Sequence, residues 1–149
     1  MNPDQLSVKG TESGEQKAVM AWAAVAMNYG FDAANGDWTK LNELPKVPVP
    51  QLRWLHAIPN GGARDPVTAA RLKAEGVKAG VPDLFLPIAK WLSPSYAFHG
   101  LYIEMKKGVS GRQSKEQIDF EAHCMTASYR YVVCRNWREA ADALKDYLT

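Results

Sequence analysis

The chain has 149 residues, 46% of them hydrophobic and 23% charged, which is enough for one buried core and too little for two. Its formal charge of +2 is too small to indicate a polyanion partner, so any such affinity must come from local clusters. No apolar run reaches the ~18 residues of a membrane span, the N-terminus lacks the basic and apolar regions of a signal peptide, and Cys124 and Cys134 have no metal-ligand spacing. An intracellular protein with two free thiols is expected.

Residues 1–11 are polar and read as a flexible N-terminus preceding a single domain over 12–149. From Glu12 to Tyr29 the residues Val19, Trp22, Val25, Ala26 and Tyr29 recur at helical spacing, and Glu15 falls on the same stripe. A carboxylate there is costly unless it is paired, binds a cation, or sits exposed at the helix start where the dipole favours it. Residues 30–51, with Asn35-Gly36 and the prolines Pro45, Pro48 and Pro50, predict an irregular excursion. A short strand is expected from Leu52 to Ile58 and a turn at Asn60-Gly61-Gly62. Asp65-Pro66 is an N-cap with Pro at the first helical position, opening a helix that stops at Gly76.

Strands are expected at 83–88 and 100–107, joined by an aromatic-rich connection at 89–99 that holds Trp91, Tyr96 and Phe98. Ser114 and Gln117 have capping-box spacing and open a helix to about Ala127. Tyr131–Cys134 reads as a strand, and Asn136 caps a last helix bearing Ala140, Ala143, Leu144 and Tyr147. A hairpin-like strand pair followed by a strand–helix–strand crossover implies an α/β fold, with a mixed central sheet flanked by helices.

Chemistry concentrates in two strands. Gly80-Val81-Pro82-Asp83 leads into the apolar run Leu84-Phe85-Leu86, and Leu101-Tyr102-Ile103-Glu104-Met105-Lys106 follows. Side chains alternate across a sheet, so Leu101, Ile103 and Met105 form one apolar face while Tyr102, Glu104 and Lys106 share the other. If Asp83 begins the neighbouring strand, its carboxylate reaches Glu104, and the two can hold a divalent cation beside an ammonium group. That set suits phosphodiester hydrolysis, which needs an activated water and positive charge at the phosphate. A solvated Glu-x-Lys face is the plain alternative for that pair alone. The three histidines, His56, His99 and His123, form no tight metal constellation, and Trp22, Trp54, Trp91 and Trp137 read as core or interface residues.

The Pro-Asp…Glu-x-Lys pattern resembles the PD-(D/E)xK nuclease superfamily. The stretch from Ala57-Ile58-Pro59-Asn60-Gly61-Gly62 through Gly80-Val81-Pro82-Asp83-Leu84 to Gln117 resembles its VRR-NUC branch, in the stand-alone viral and bacterial form. The likeness spans most of residues 12–140. It implies a restriction-endonuclease-like core in which Asp83, Glu104 and the Met105 carbonyl bind Mg²⁺, with Mn²⁺ able to substitute. It further implies that Lys106 orients or deprotonates the attacking water or stabilises the phosphate, that Glu15 is an accessory acid near the metal, and that Gln117 is a site residue, although its cap alone accounts for it. The implied activity is a structure-selective endonuclease resembling Holliday-junction resolvases, acting as a homodimer on branched DNA in replication, repair or recombination. A flap nuclease and a catalytically silent DNA-binding module are the alternatives.

Two basic segments flank the expected site: Arg53, Arg64, Arg71, Lys73 and Lys78 in one, Lys106, Lys107, Arg112 and Lys115 in the other. Arg64, Arg71, Lys73, Lys78, Lys107, Arg112 and Lys115 are the candidate DNA-binding residues, with a merely solvated basic face as the alternative. The excursion at 30–51 and the connection at 89–99 are longer than a minimal core requires and are candidate dimer surfaces.

Overall fold

Short β segments set the architecture. The computed structural model describes residues 1–59 and 65–149. A four-stranded sheet is built from β1 (His56–Ala57), β2 (Leu84–Leu86), β5 (Leu101–Met105) and β6 (Arg130–Cys134), in the order β1-β2-β5-β6. β1 and β2 are antiparallel, β2 and β5 are antiparallel, and β5 and β6 are parallel. The mixed sheet follows from its connections. A parallel neighbour needs a crossover, and helix α5 (Lys115–Thr126) supplies it between β5 and β6. The turn expected at Asn60-Gly61-Gly62, and Arg64, lie outside the described residues.

One sheet face meets helices α2 (Glu12–Tyr29) and α6 (Trp137–Leu148). Leu84, Leu86, Leu101, Ile103 and Met105 pack there against Val19, Trp22 and Ala26 from α2 and Ala140, Leu144 and Tyr147 from α6. Burying each large side chain of this cluster stabilises the fold by roughly 1.5–3 kcal/mol. The opposite face is partly covered by α5, whose Phe120 stands edge-on to Tyr102 at 5.2 Å. Among the described residues no helix is long and apolar enough to cross a membrane.

Four local expectations change. Residues 3–7, expected to be flexible, form helix α1 (Pro3–Ser7), closed by a capping box between Asn2 and Gln5 and packed on α2. The strand expected from Leu52 is a 3-10 turn over Pro50–Trp54, leaving only His56–Ala57 as β1, because Pro50 pre-sets the turn and caps no ladder. The connection at 89–99 is a hairpin of β3 (Lys90–Ser93) and β4 (Tyr96–Phe98), a separate two-stranded sheet turning at Pro94-Ser95. Lys90 Nζ donates to the Asp146 carbonyl at 2.6 Å and Tyr147 Oη to the Ile88 carbonyl at 2.7 Å, which anchors this hairpin to α6.

The excursion at 30–51 is more ordered than its prolines suggested. It contains α3 (Phe31–Asn35) and a 3-10 turn at Trp38–Glu43, then doubles back so that Val47 N–H donates to the Tyr29 carbonyl and Val49 N–H to those of Ala26 and Met27. A helix leaves its last carbonyls without intrahelical partners. The excursion therefore acts as a C-terminal cap on α2, and Gly30 (φ +101°) is required where Val47 presses on the chain. Helix α4 (Pro66–Ala74), capped by Asp65 as expected, buries none of its residues.

Candidate active site

Pro82 is buried and delivers Asp83 to the start of β2. The β2–β5 register pairs Leu84 with Ile103, so one step back sets Asp83 across from Glu104. Asp83 Oδ2 accepts a hydrogen bond from the Met105 N–H at 2.8 Å, and the Asp83 carbonyl accepts one from Ile58 N–H at 2.8 Å. The aspartate thus ties three strands together at the point where the chemistry is expected.

Glu104 is only 3% exposed, although it lies on the face away from the main core. Its Oε1 accepts from Lys106 Nζ at 3.1 Å and from Gln117 Nε2 at 2.6 Å, while its Oε2 is buried with no hydrogen-bond partner. Burial, and then the facing charge of Asp83, push its carboxyl up to about 7, against the opposing hydrogen bond and charge of Lys106. Lys106 is itself 9% exposed. A like-charge pair directly across two strands is destabilising unless something positive joins it.

Gln117 caps α5 and also contacts Glu104. Its Oε1 accepts from the Ser114 N–H at 2.8 Å, completing the capping box, and its amide nitrogen then points at Glu104. The two bonds together fix which end of the amide is which. Gly80 makes the arrangement possible. It has φ +86°, and a Cβ there would lie 2.5 Å from the Glu116 backbone, so only glycine lets the chain before Asp83 touch the first turn of α5.

Glu15, expected as an accessory acid near the metal, is engaged with α6 in this structure. Glu15 Oε2 accepts from the Trp137 N–H at 2.6 Å, so it satisfies the first turn of α6, across 122 residues of sequence. Its place on the apolar stripe explains this: that stripe faces α6. The acid beside the site is Glu12, one turn earlier. Its Oε1 accepts from the Lys107 N–H at 3.1 Å, and its charge helps raise Glu104. The signal that would have found it is spacing: Glu12 lies seven residues before Val19, on the same stripe as Glu15 and one turn nearer the helix start.

The candidate DNA-binding residues are less tightly gathered. Arg71, Lys73 and Lys78 are exposed on or just after α4, with Arg71 paired to Glu75 at 3.0 Å. Lys107, Arg112 and Lys115 are exposed around the turn after β5, with Lys115 paired to Asp119 at 2.9 Å. That turn is clamped by Arg135, whose guanidinium donates to the carbonyls of Gly108 and Gly111.

Among the described residues no three His, Cys, Asp or Glu side chains converge as a ready-made metal cage. The oxygen donors at hand are the Asp83 and Glu104 carboxylates and the peptide carbonyl of Met105. A sparse oxygen set suits Mg²⁺, which keeps several of its waters. The fit is supported by Glu104 Oε2: a buried carboxylate oxygen without a hydrogen bond is costly, and a cation would satisfy it.

A mixed sheet flanked by helices, with Pro-Asp and Glu-x-Lys on adjacent antiparallel strands, places the molecule in the α/β class expected for a PD-(D/E)xK core. Comparison with solved structures makes this specific: a VRR-NUC domain protein superposes with a TM-score of 0.62 and 26% sequence identity, covering 92% of this chain and 87% of that one. The chain therefore has a VRR-NUC fold, that of a nuclease-family domain. No family model matches the sequence, and no curated protein does either.

Proposed function

We propose that the chain is a Mg²⁺-dependent endodeoxyribonuclease, with Mn²⁺ able to substitute, that hydrolyses phosphodiester bonds in branched DNA. The observation that carries this reading is the asymmetric dressing of Glu104. One oxygen is held by Lys106 and Gln117, and the other is buried, unpaired and on the same side of the sheet as Asp83. Asp83, Glu104 and the Met105 carbonyl would hold the cation. When bound, it lowers the pKa of water and neutralises charge on the phosphoryl oxygen.

The protein's own groups then have distinct tasks. Lys106 donates from its ammonium group either to the attacking water or to a phosphate oxygen. Gln117 keeps the Glu104 carboxylate turned so that Oε2 faces the substrate side. Water adds to phosphorus, the bond to one ester oxygen breaks, and that oxygen leaves as an alcohol after taking up a proton. Glu12 is near enough to bias this proton traffic through water. The complete Asp83, Glu104 and Lys106 set argues against a silent binding module, since a module without chemistry has no need of a buried Glu–Lys pair.

A junction-resolving homodimer is the specific form we favour. Two equivalent sites would suit a two-fold symmetric junction. Large apolar side chains are exposed on both candidate surfaces, Trp91 (69%), Leu92 (50%) and Tyr96 (44%) on the hairpin and Val47 (71%) on the excursion, and these support self-association. The test is incubation with labelled four-way junction, flap and linear duplex, with Mg²⁺ or with chelator. Chelator and Asp83→Ala should each abolish cleavage, and persistence under either sinks the mechanism. Equal rates on all three substrates would remove the junction preference and leave the nuclease. A monomer mass by light scattering at micromolar concentration would remove the dimer.

A further inference from the structure

A cavity of about 560 Å³ opens beside Asp83, and one of its walls, apart from Glu12, takes no part in the hydrolysis described above. That wall is α2. Glu12, Gln16 and Met20 follow one another at i, i+4 spacing, and Ser13 and Lys17 form the adjacent row, so all five share one helical face. Ile58 and Pro59 lie across from them.

Glu12 is engaged with the Lys107 N–H. Among the described residues the side chains of Ser13, Gln16 and Lys17 have no hydrogen bond or ion pair, and Lys17 is exposed. This separates Lys17 from Arg71 and Lys115, each held by a carboxylate one turn along its own helix. An ammonium, an amide and a hydroxyl aligned over an apolar floor of Met20, Ile58 and Pro59 match a sugar-phosphate unit. The donors suit phosphate oxygens, and the floor suits a sugar or base face.

We propose that this groove binds the nucleotide adjoining the scissile phosphate, with Lys17 on that nucleotide's own phosphate. The inference rests on the nuclease reading for what occupies the centre, and it adds where the strand runs. Lys17 lies five residues beyond Glu12, about 7.5 Å along the helix axis. Lys17 is thus offset along α2 from the acid nearest Asp83 and Glu104, and in the proposal it meets the phosphate next to the one they address. The strand leaves the centre along α2.

The test separates this claim from the activity. A labelled four-way junction is bound in Ca²⁺, used as a binding cation in place of Mg²⁺, with one phosphate at a time along a strand replaced by an uncharged methylphosphonate. Lys17→Ala, at an exposed position, should weaken binding about tenfold and lower the slope of affinity against salt by about one counterion. One methylphosphonate position should weaken the wild-type protein by a similar factor and leave Lys17→Ala indifferent. Unchanged binding by Lys17→Ala overturns the proposal, as does a loss that is the same at every methylphosphonate position. Coupling at one phosphate without any Mg²⁺-dependent cleavage would keep the groove and remove the nuclease. Cleavage without coupling would do the reverse.

Discussion

The two sides of the site are built to opposite standards. On the β5–α5 side every buried side-chain polar atom among the described residues has a partner except Glu104 Oε2: Lys106 and Gln117 converge on Glu104 Oε1, Gln117 is held by Ser114, and Gly80 locks the preceding loop onto α5. On the α2 side Ser13, Gln16 and Lys17 face an open cavity without partners among the described residues. Groups that must hold a reacting geometry gain from being fixed before substrate arrives. Groups that meet a variable chain gain from staying solvated until it comes. The division marks which residues should alter rate and which should alter binding.

The closed side should fail hardest. Glu104→Gln or Asp83→Asn should cut Mg²⁺-dependent cleavage on the order of 10³-fold, equivalent to about 4 kcal/mol of transition-state stabilisation. Glu104→Gln has a second signature in the metal-free protein. The folded carboxyl titrates at about 7 and the unfolded one near 4.5, so between these values the folded state binds more protons than the unfolded state. Stability then falls as pH rises from about 4.5 to 7 and is flat above, a loss of roughly 3 kcal/mol. Melting temperatures from pH 4.5 to 8 in chelator should show this slope for wild type and lose it in Glu104→Gln. A wild-type curve that rises across the window would contradict the buried, unpaired state of Oε2.

A pair of acids on one helix offers a sharper division. Glu15→Ala removes the acceptor for Trp137 N–H and should cost about 1–3 kcal/mol of stability with kcat retained. Glu12→Ala should leave the melting temperature nearly unchanged and lower activity about 10–100-fold, the usual range for a residue that supports a metal site from outside. The reversed pattern, with Glu15→Ala inactive and fully stable, would restore the reading in which Glu15 approaches the metal.

That pair also shows what was legible in the sequence. Local signals carried far: the Asp65-Pro66 and Ser114…Gln117 caps, the alternation from Leu101 to Lys106, and the parallel β5–α5–β6 crossover all appear where those residues place them. Asp83 and Glu104 come together because alternation and register are short-range rules. The bond from Trp137 N–H to Glu15 was not legible, because it depends on α6, and no local pattern says which helix will cover a stripe. The hairpin at Lys90–Phe98 was hidden for a related reason. Its strands are short and aromatic, its turn is Pro94-Ser95 rather than a glycine pair, and its docking relies on Lys90 and Tyr147, 57 positions apart in sequence.

Gln117 makes the smallest and most diagnostic prediction, because it belongs to the closed side through two separable bonds. Gln117→Ala loses the bond that completes the capping box and the bond to Glu104 together, and should cost about 1 kcal/mol of stability along with part of the rate. Gln117→Glu keeps an oxygen for the Ser114 N–H, and so keeps the cap, but sets a second carboxylate against Glu104 where an amide donor stood. Its metal-free form should be less stable at pH 8 than at pH 5 by a wider margin than wild type, since another negative charge pushes Glu104 further up. Mg²⁺ should narrow that margin by drawing both carboxylates toward positive charge. If the two variants instead behave alike at every pH, with and without Mg²⁺, Gln117 is only a cap, and the orientation of Glu104 must be set by Lys106 alone.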